Sequence, residues 1–328
     1  MPAPDIMHYF TAISAGPELA QLAGTHGRVL AVLSNAVYLR CHEGQVLGIV
    51  GQAAEEGPFT LRVHDINSLV RLLKGSEDLT FVCTEASLEL KGIARIELTS
   101  AHSWQADLPS TIGSVAERIN AVRALLSLMG GSWCSTGACG LAAYLYGWRR
   151  SLPLLSEVPL LRRNATASDT LLGRLAARVT NFQAAATGLD SHSASQALVS
   201  LLGLGIGLTP SGDDIAAGVL ATLVWQAQLG SIPADFARYQ VEAVRMSAPA
   251  RTNDISVRLL WHAGGGLLYA PAMELGAALL AGDTTAIAVP ARRLLSIGHS
   301  SGADMATGLL AGVVAGIEIE SRSKVPSY

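Results

Sequence analysis

Two short segments of this chain place a hydroxyl, a glycine and a carboxylate at the same spacing. The first is Ser211-Gly212-Asp213-Asp214 and the second is Ser301-Gly302-Ala303-Asp304, aligned without a gap at an offset of 90 residues. The apolar residues that follow match in type, and a later glycine recurs as Gly218 and Gly308. A serine followed three residues on by an acid, ahead of an apolar run, is a helix-start pattern. A helix start offers free N–H groups and the positive end of the helix dipole, which favour anions. Two such starts in one chain can build one composite site.

The first copy is preceded by Gly203-Leu204-Gly205-Ile206-Gly207-Leu208-Thr209-Pro210. Alternate glycines allow backbone conformations closed to other residues and let a ligand approach the main chain. This is not the dinucleotide fingerprint, because Leu208 stands where the third glycine would fall and a helical pattern precedes it. Capping alone would account for Ser211 with Asp214 and Ser301 with Asp304, at about 1 kcal/mol per cap. It would not require three glycines, nor Asp213 beside Asp214. Adjacent acids repel phosphate unless they bind a metal, pair with Arg or orient backbone groups. No cofactor is demanded, and Mg²⁺ is the hard cation that Asp213 and Asp214 would accept. No His or Cys cluster supports zinc.

Two further residues carry chemistry. In Arg251-Thr252-Asn253-Asp254, Arg251 can grip a carboxylate or phosphate with two parallel hydrogen bonds, while Thr252 or Asn253 can cap the following helix. An arginine on a solvated helix start reads equally well. His299, in Gly298-His299-Ser300-Ser301-Gly302, is placed to donate to a substrate oxygen or move a proton, although a lone histidine is more often structural. Cys134-Ser135-Thr136-Gly137-Ala138-Cys139 reads as a polar turn, and Trp104 as a packing anchor between domains.

Composition narrows the classes. Half of the 328 residues are apolar and 15% are charged, which excludes disorder and implies deep burial or a subunit interface. A net charge of −3 gives no reason to expect nucleic acid or an anionic membrane as partner. The three lysines, Lys74, Lys91 and Lys324, lie away from the glycine motifs, against a Walker loop or a Schiff base. Cys41, Cys83, Cys134 and Cys139 fit no common metal or redox spacing and read as reduced thiols of a cytoplasmic protein. No signal peptide and no bilayer-spanning stretch is expected.

These residues need a frame. Short β-type runs occupy 29–33, 36–39, 46–50, 59–63, 79–83 and 93–98, with a helix at 66–74 and a short helix within 5–24. From Ser110 the chain reads as helical, over 111–129, 138–147, 168–187, 193–202, 212–228, 234–246, 253–263, 271–280, 284–295 and 302–317. Glycines four apart, as in Gly308, Gly312 and Gly316, mark close helix crossings. The expected class is α+β. A β-rich barrel-like or sandwich domain over 1–108 precedes a larger helical domain over 109–328 packed against it.

The stretch from Leu201 to Asp214 resembles the signature of the AllH-like family, associated with a subunit of oxamate carbamoyltransferase. The Gly298-to-Asp304 segment with Gly308 resembles that family's C-terminal motif. The resemblance implies a three-subunit enzyme of anaerobic purine-ring or allantoin nitrogen use, interconverting oxalurate plus phosphate with oxamate plus carbamoyl phosphate beside two larger partner subunits. It implies ligand contacts at Gly205, Gly207, Thr209, Ser211, Gly212, Asp213, Asp214, Ser301 and Asp304. The Ser-Thr-Arg-Thr type phosphate motif of the classical carbamoyltransferases is missing, and Arg251-Thr252 is its nearest fragment. The expected site has N–H groups of 205–212 and of Ser301 and Gly302 on the phosphoryl oxygens, with Arg251 on a carboxylate. Asp214 and Asp304 order the loops, and His299 transfers a proton. The alternatives are a non-catalytic assembly subunit and a Mg²⁺-dependent phosphotransferase.

Overall fold

A computed structural model describes residues 7–76, 79–131 and 171–323. The chain divides into two compact units, Met1–Ala106 and Asp107–Tyr328.

The first unit is a closed β-barrel. Its strands are β1 (His8–Ala15), β2 (His26–Val32), β3 (Ala36–Cys41), β4 (Val46–Gly51), β5 (Thr60–Val63), β6 (Thr80–Cys83), β7 (Ser87–Leu90) and β8 (Ala94–Glu97). They are ordered β5-β4-β3-β2-β6-β7-β8-β1, and β1 pairs back onto β5 to close the ring. Closure leaves no free edge among the eight and settles the choice between barrel and sandwich. A two-residue strand, β9 (His102–Ser103), adds beside the end of β1. Alternate side chains such as Val37 and Leu39, Phe81 and Cys83, and Leu88 and Leu90 fill the core. Helix α1 (Ile66–Leu73), capped by Asp65 through the Ser68 N–H, adds Ile66, Leu69 and Leu73 to that core.

One expected element differs. Part of the 5–24 segment is strand β1, followed by a 3-10 turn at Leu19–Leu22. Tyr9, Phe10, Thr11 and Ile13 suit a strand, and β1 is the stave that joins β5 to β8. Trp104 is buried, and its backbone N–H donates to the Ala15 carbonyl at 2.8 Å.

The second unit is helical. Its helices are α2 (Val115–Gly131), α3 (Leu171–Thr187), α4 (Ser191–Val199), α5 (Ser211–Gln228), α6 (Ala234–Ser247), α7 (Asp254–Ala263), α8 (Ala270–Ala281), α9 (Ala288–Leu295) and α10 (Ser301–Ser323). The expected helix at 138–147 and the pair Cys134 and Cys139 lie outside the described residues. Helices α5 and α10 form the centre, with α6, α7 and α8 against α5 and α2, α3 and α9 against α10. Helix α10 is long and apolar enough to cross a membrane, but 94% of that stretch is buried inside the unit.

The central pair runs parallel. A Cβ on Gly308 would lie 2.1 Å from the Ile215 carbonyl oxygen, and one on Gly218 would lie 2.5 Å from the Met305 carbonyl oxygen. Ile215 and Met305, like Gly218 and Gly308, are 90 residues apart, so the repeat in the sequence is a pseudo-twofold relation between two helices. Further along, Gln226 donates to the Gly312 carbonyl at 2.8 Å. Glycine at the contact brings the two backbones together, and that contact places both helix starts side by side.

Candidate functional site

The glycine loop leaves α4 through a turn that places Gly203 at φ +72° against the Arg251 carbonyl, where a Cβ would sit 2.1 Å from the oxygen. The Gly203 N–H donates to Asp213 Oδ1 at 2.8 Å, and the Thr252 hydroxyl donates to Asp213 Oδ2. Asp213 therefore ties the start of the loop to the Arg251-Thr252 segment. Burial raises its carboxyl above the usual range, and the bonds from Thr252, Gly203 and Ser256 oppose that rise. Asn253 accepts the N–H groups of Ile255 and Ser256 as the cap of α7, and its own amide donates to the Leu208 carbonyl at 2.9 Å. The buried Ser256 also donates to that carbonyl at 3.4 Å.

Between these anchors the backbone is open. The N–H groups of Gly205, Ile206, Gly207, Leu208 and Thr209 have no hydrogen-bond partner among the described residues. Gly205 and Gly207 take φ of +140° and +96°, and Ile206 at the tip is 89% exposed. Successive free donors in such a conformation form an anion-binding concavity.

Below the loop the two helix starts come together. The hydroxyls of Ser301 and Thr209 lie near the Asp214 carboxyl and oppose the rise of its pKa, as those of Ser211 and Ser300 do for Asp304. Thr209 and Ser301 also share a hydroxyl contact of 3.0 Å. Each acid thus lies near the serine of the other copy. Pro210 stands in the cap position of α5 and gives it no side-chain cap, so Ser211 is already helical. The capping box read at Ser211 and Asp214 does not form, because no side chain caps this helix. Both carboxyls are 1% exposed, and Oδ2 of each has no hydrogen-bond partner. Burial, then the neighbouring Asp304, holds Asp214 well above the usual carboxylate range. Burial pushes Asp304 up to about 6.

The expected donors separate into two sets. The Gly212 N–H is donated to the Leu204 carbonyl, and the Gly302 N–H to the Ile297 carbonyl. These two glycines serve close packing and leave the donor set. A Cβ on Gly212 would lie 2.0 Å from the Leu201 oxygen, and one on Gly302 1.8 Å from the Leu294 oxygen. Arg251 and His299 are exposed and make no side-chain hydrogen bond or ion pair among the described residues. The structure gathers Thr209, Ser211, Asp214, Ser301 and Asp304 into one cluster and Asp213 with Thr252 into another. Ser256 and Ser300 complete these clusters, and nothing in their sequence neighbourhood marks them. No group of three or more His, Cys, Asp or Glu among the described residues is arranged for a metal ion. A cavity of about 660 Å³, lined in part by His26, Arg28, Arg40 and His42, belongs to the barrel unit.

Residues 201–313 match the family model of the oxamate carbamoyltransferase subunit AllH. The matched segment begins just before the glycine loop, contains both Ser-Gly-x-Asp starts and ends within α10. The match spans about a third of the chain. No curated protein and no solved structure matches the chain.

Proposed function

We propose, with the match to the AllH model as premise, that this chain is a subunit of an oxamate-carbamoyltransferase-like complex. In this reading its glycine loop binds the phosphate-bearing substrate. The observation that carries the proposal is the run of unpartnered N–H groups from Gly205 to Thr209 among the described residues, held by Asp213, Asn253 and the contact of Thr209 with Ser301. Donors fixed before the ligand arrives cost no reorganisation when it binds, and they stabilise charge that develops on phosphoryl or carbamoyl oxygens.

In the transfer, the oxamate amide nitrogen bonds to the carbamoyl carbon, the bond from that carbon to the phosphate oxygen breaks, and the nitrogen's proton leaves with phosphate. The reverse reaction consumes oxalurate and phosphate. Arg251, exposed beside Gly203, would hold the substrate carboxylate. His299, exposed ahead of α10, would move the proton. Gly205, Gly207, Thr209 and Ser211 would line the phosphate, and Asp213, Asp214 and Asp304 would hold the loop rather than touch it. The larger partner subunits would supply the rest of the site, in the cytoplasm.

The test is calorimetric titration of the purified chain with carbamoyl phosphate, phosphate and oxamate. Saturable binding of carbamoyl phosphate, weakened in Gly207→Ala, and of oxamate, weakened tenfold or more in Arg251→Ala, is the expected result. A chain that binds none of the three carries no substrate site of its own, and the reading falls. The second reading, an assembly subunit, draws support from how much of the motif is spent on backbone anchoring: Asp213, Gly212 and Gly302 all serve that end.

A further inference from the structure

The barrel unit carries a group of side chains that the loop-binding role does not use. On its outer face, Arg28 of β2 stands opposite Arg40 of β3 on one side and opposite Thr80 of β6 on the other. One pleat away on the same face, His26 lies beside His42, whose backbone N–H donates to the His26 carbonyl at 3.1 Å. The two imidazole rings meet edge to face with centroids 5.2 Å apart. All five side chains are exposed, while Gly27, Val29 and Cys41 between them are buried. Together with the half-buried Leu30, these five line the cavity of about 660 Å³.

Like charges directly opposite on neighbouring strands weaken a sheet. Arg28 and Arg40 are such a pair, and Lys91 extends their row. Its backbone N–H donates to the Thr80 carbonyl at 3.0 Å, and its side chain is exposed. The unit is acidic as a whole, with seven Lys and Arg against eleven Asp and Glu in residues 1–106. Three of its cations nevertheless share one row. Among the described residues, Glu43 accepts a bond from Gln45, and Glu89 lies beyond Val82, opposite Arg95.

The donor types suit an oxyanion. A guanidinium meets phosphate or carboxylate with two parallel N–H groups. It has five N–H donors, so the interactions that Arg28 and Arg40 hold within the protein are compatible with a ligand besides. Even a neutral imidazole offers one N–H, and Thr80 adds a hydroxyl. The arginines repel a metal ion, so the imidazole pair reads as donors rather than metal ligands. Donors from three strands match the three terminal oxygens of a phosphoryl group better than the two of a carboxylate. The volume exceeds a bare phosphate and falls within the range of small-molecule sites, about 300–1,000 Å³. Leu30 offers apolar surface for an organic body.

We propose that this outer face of the barrel binds a small organic molecule through its phosphoryl group. Arg28 and Arg40 are the anchoring cations, and His26, His42 and Thr80 are further donors. The site belongs to the barrel unit, outside residues 201–313, and does not rest on the function proposed for the glycine loop.

The experiment titrates the full chain with inorganic pyrophosphate and follows the imidazole NMR signals of His26 and His42, assigned through His26→Gln and His42→Gln. Both signals are expected to move saturably in the wild type and in Gly207→Ala, and to stay still in the double variant Arg28→Gln, Arg40→Gln. Oxalate is expected to bind at least tenfold more weakly than pyrophosphate. Signals that stay still in the wild type, or move equally in the double variant, overturn the proposal. Oxalate binding as tight as that of pyrophosphate overturns the phosphoryl assignment. If the double variant fails to fold, Arg28→Lys decides, because it keeps the charge and loses the fork; tenfold weaker binding is expected, and unchanged binding overturns the proposal. Pyrophosphate that binds only at the glycine loop leaves both signals still and counts against the barrel site alone, so the two sites can fail separately.

Discussion

Gly308 lies directly against the backbone of Ile215, and a Cβ there would come within 2.1 Å of the Ile215 carbonyl oxygen and 3.0 Å of the Gly218 Cα. Neither neighbour is a flexible side chain that can turn aside. Gly308→Ala must therefore part α5 from α10. The expected cost is about 1–3 kcal/mol, as for other overpacked cores, measured by chemical unfolding. Unchanged stability would mean that the two helices do not meet closely at this point.

Gly207 and Gly205 should respond differently to alanine. A Cβ on Gly207 meets nothing within 4 Å, although its φ of +96° strains an L-residue. A Cβ on Gly205 would sit 2.6 Å from the Ser211 nitrogen. Gly207→Ala is expected to cost about 1 kcal/mol of stability and to weaken carbamoyl phosphate binding more than that cost implies. Gly205→Ala should lose more stability, because its clash is with backbone. Equal effects on stability would argue against the loop geometry.

Arg118 tests the far end of the helical unit. Its side chain is 1% exposed, forms an ion pair with Glu320 of α10 and donates to Ser231 at 3.3 Å. Arg118→Ala leaves Glu320 without this partner. Glu320 is 23% exposed, so water recovers part of the loss, and a cost of about 3 kcal/mol is expected, at the low end for a broken buried pair. Thermal and urea unfolding would measure it.

The barrel thiols give a simple chemical check. Cys83 is buried, and burial followed by the nearby Cys41 pushes its thiol up to about 11. The thiolate is the reactive form, so its population at neutral pH is lower by roughly a few hundredfold than that of an ordinary thiol. Iodoacetamide should leave Cys83 unmodified in the native chain at pH 8 and label it in urea. Rapid native labelling would show that the barrel opens at β6.

Much of this frame was legible in the residues. The β-type runs and the helical periods follow side-chain alternation, and they mark most elements of both units. Strand β1 was not legible, because its identity depends on pairing with β5 and β8, partners distant in sequence. In the site, the repeat at 211 and 301 was visible, and so was its helix-start chemistry. The meeting of the two copies was not. Local spacing suggests that Asp214 serves Ser211, whereas the packing of the two helix starts puts the Ser301 hydroxyl near it. The same limit hid the spent N–H groups of Gly212 and Gly302, whose acceptors belong to the ends of the preceding segments.

The twofold relation of α5 and α10 is broken at their entrances. The segment entering α5 runs from 200 to 210, and the one entering α10 from 296 to 300. Only the longer entrance has room for the open run of donors from Gly205 to Thr209. If the proposed loop site holds, the duplicated motif predicts one loop-bound ligand per chain, with the second copy acting as the buttress of the first.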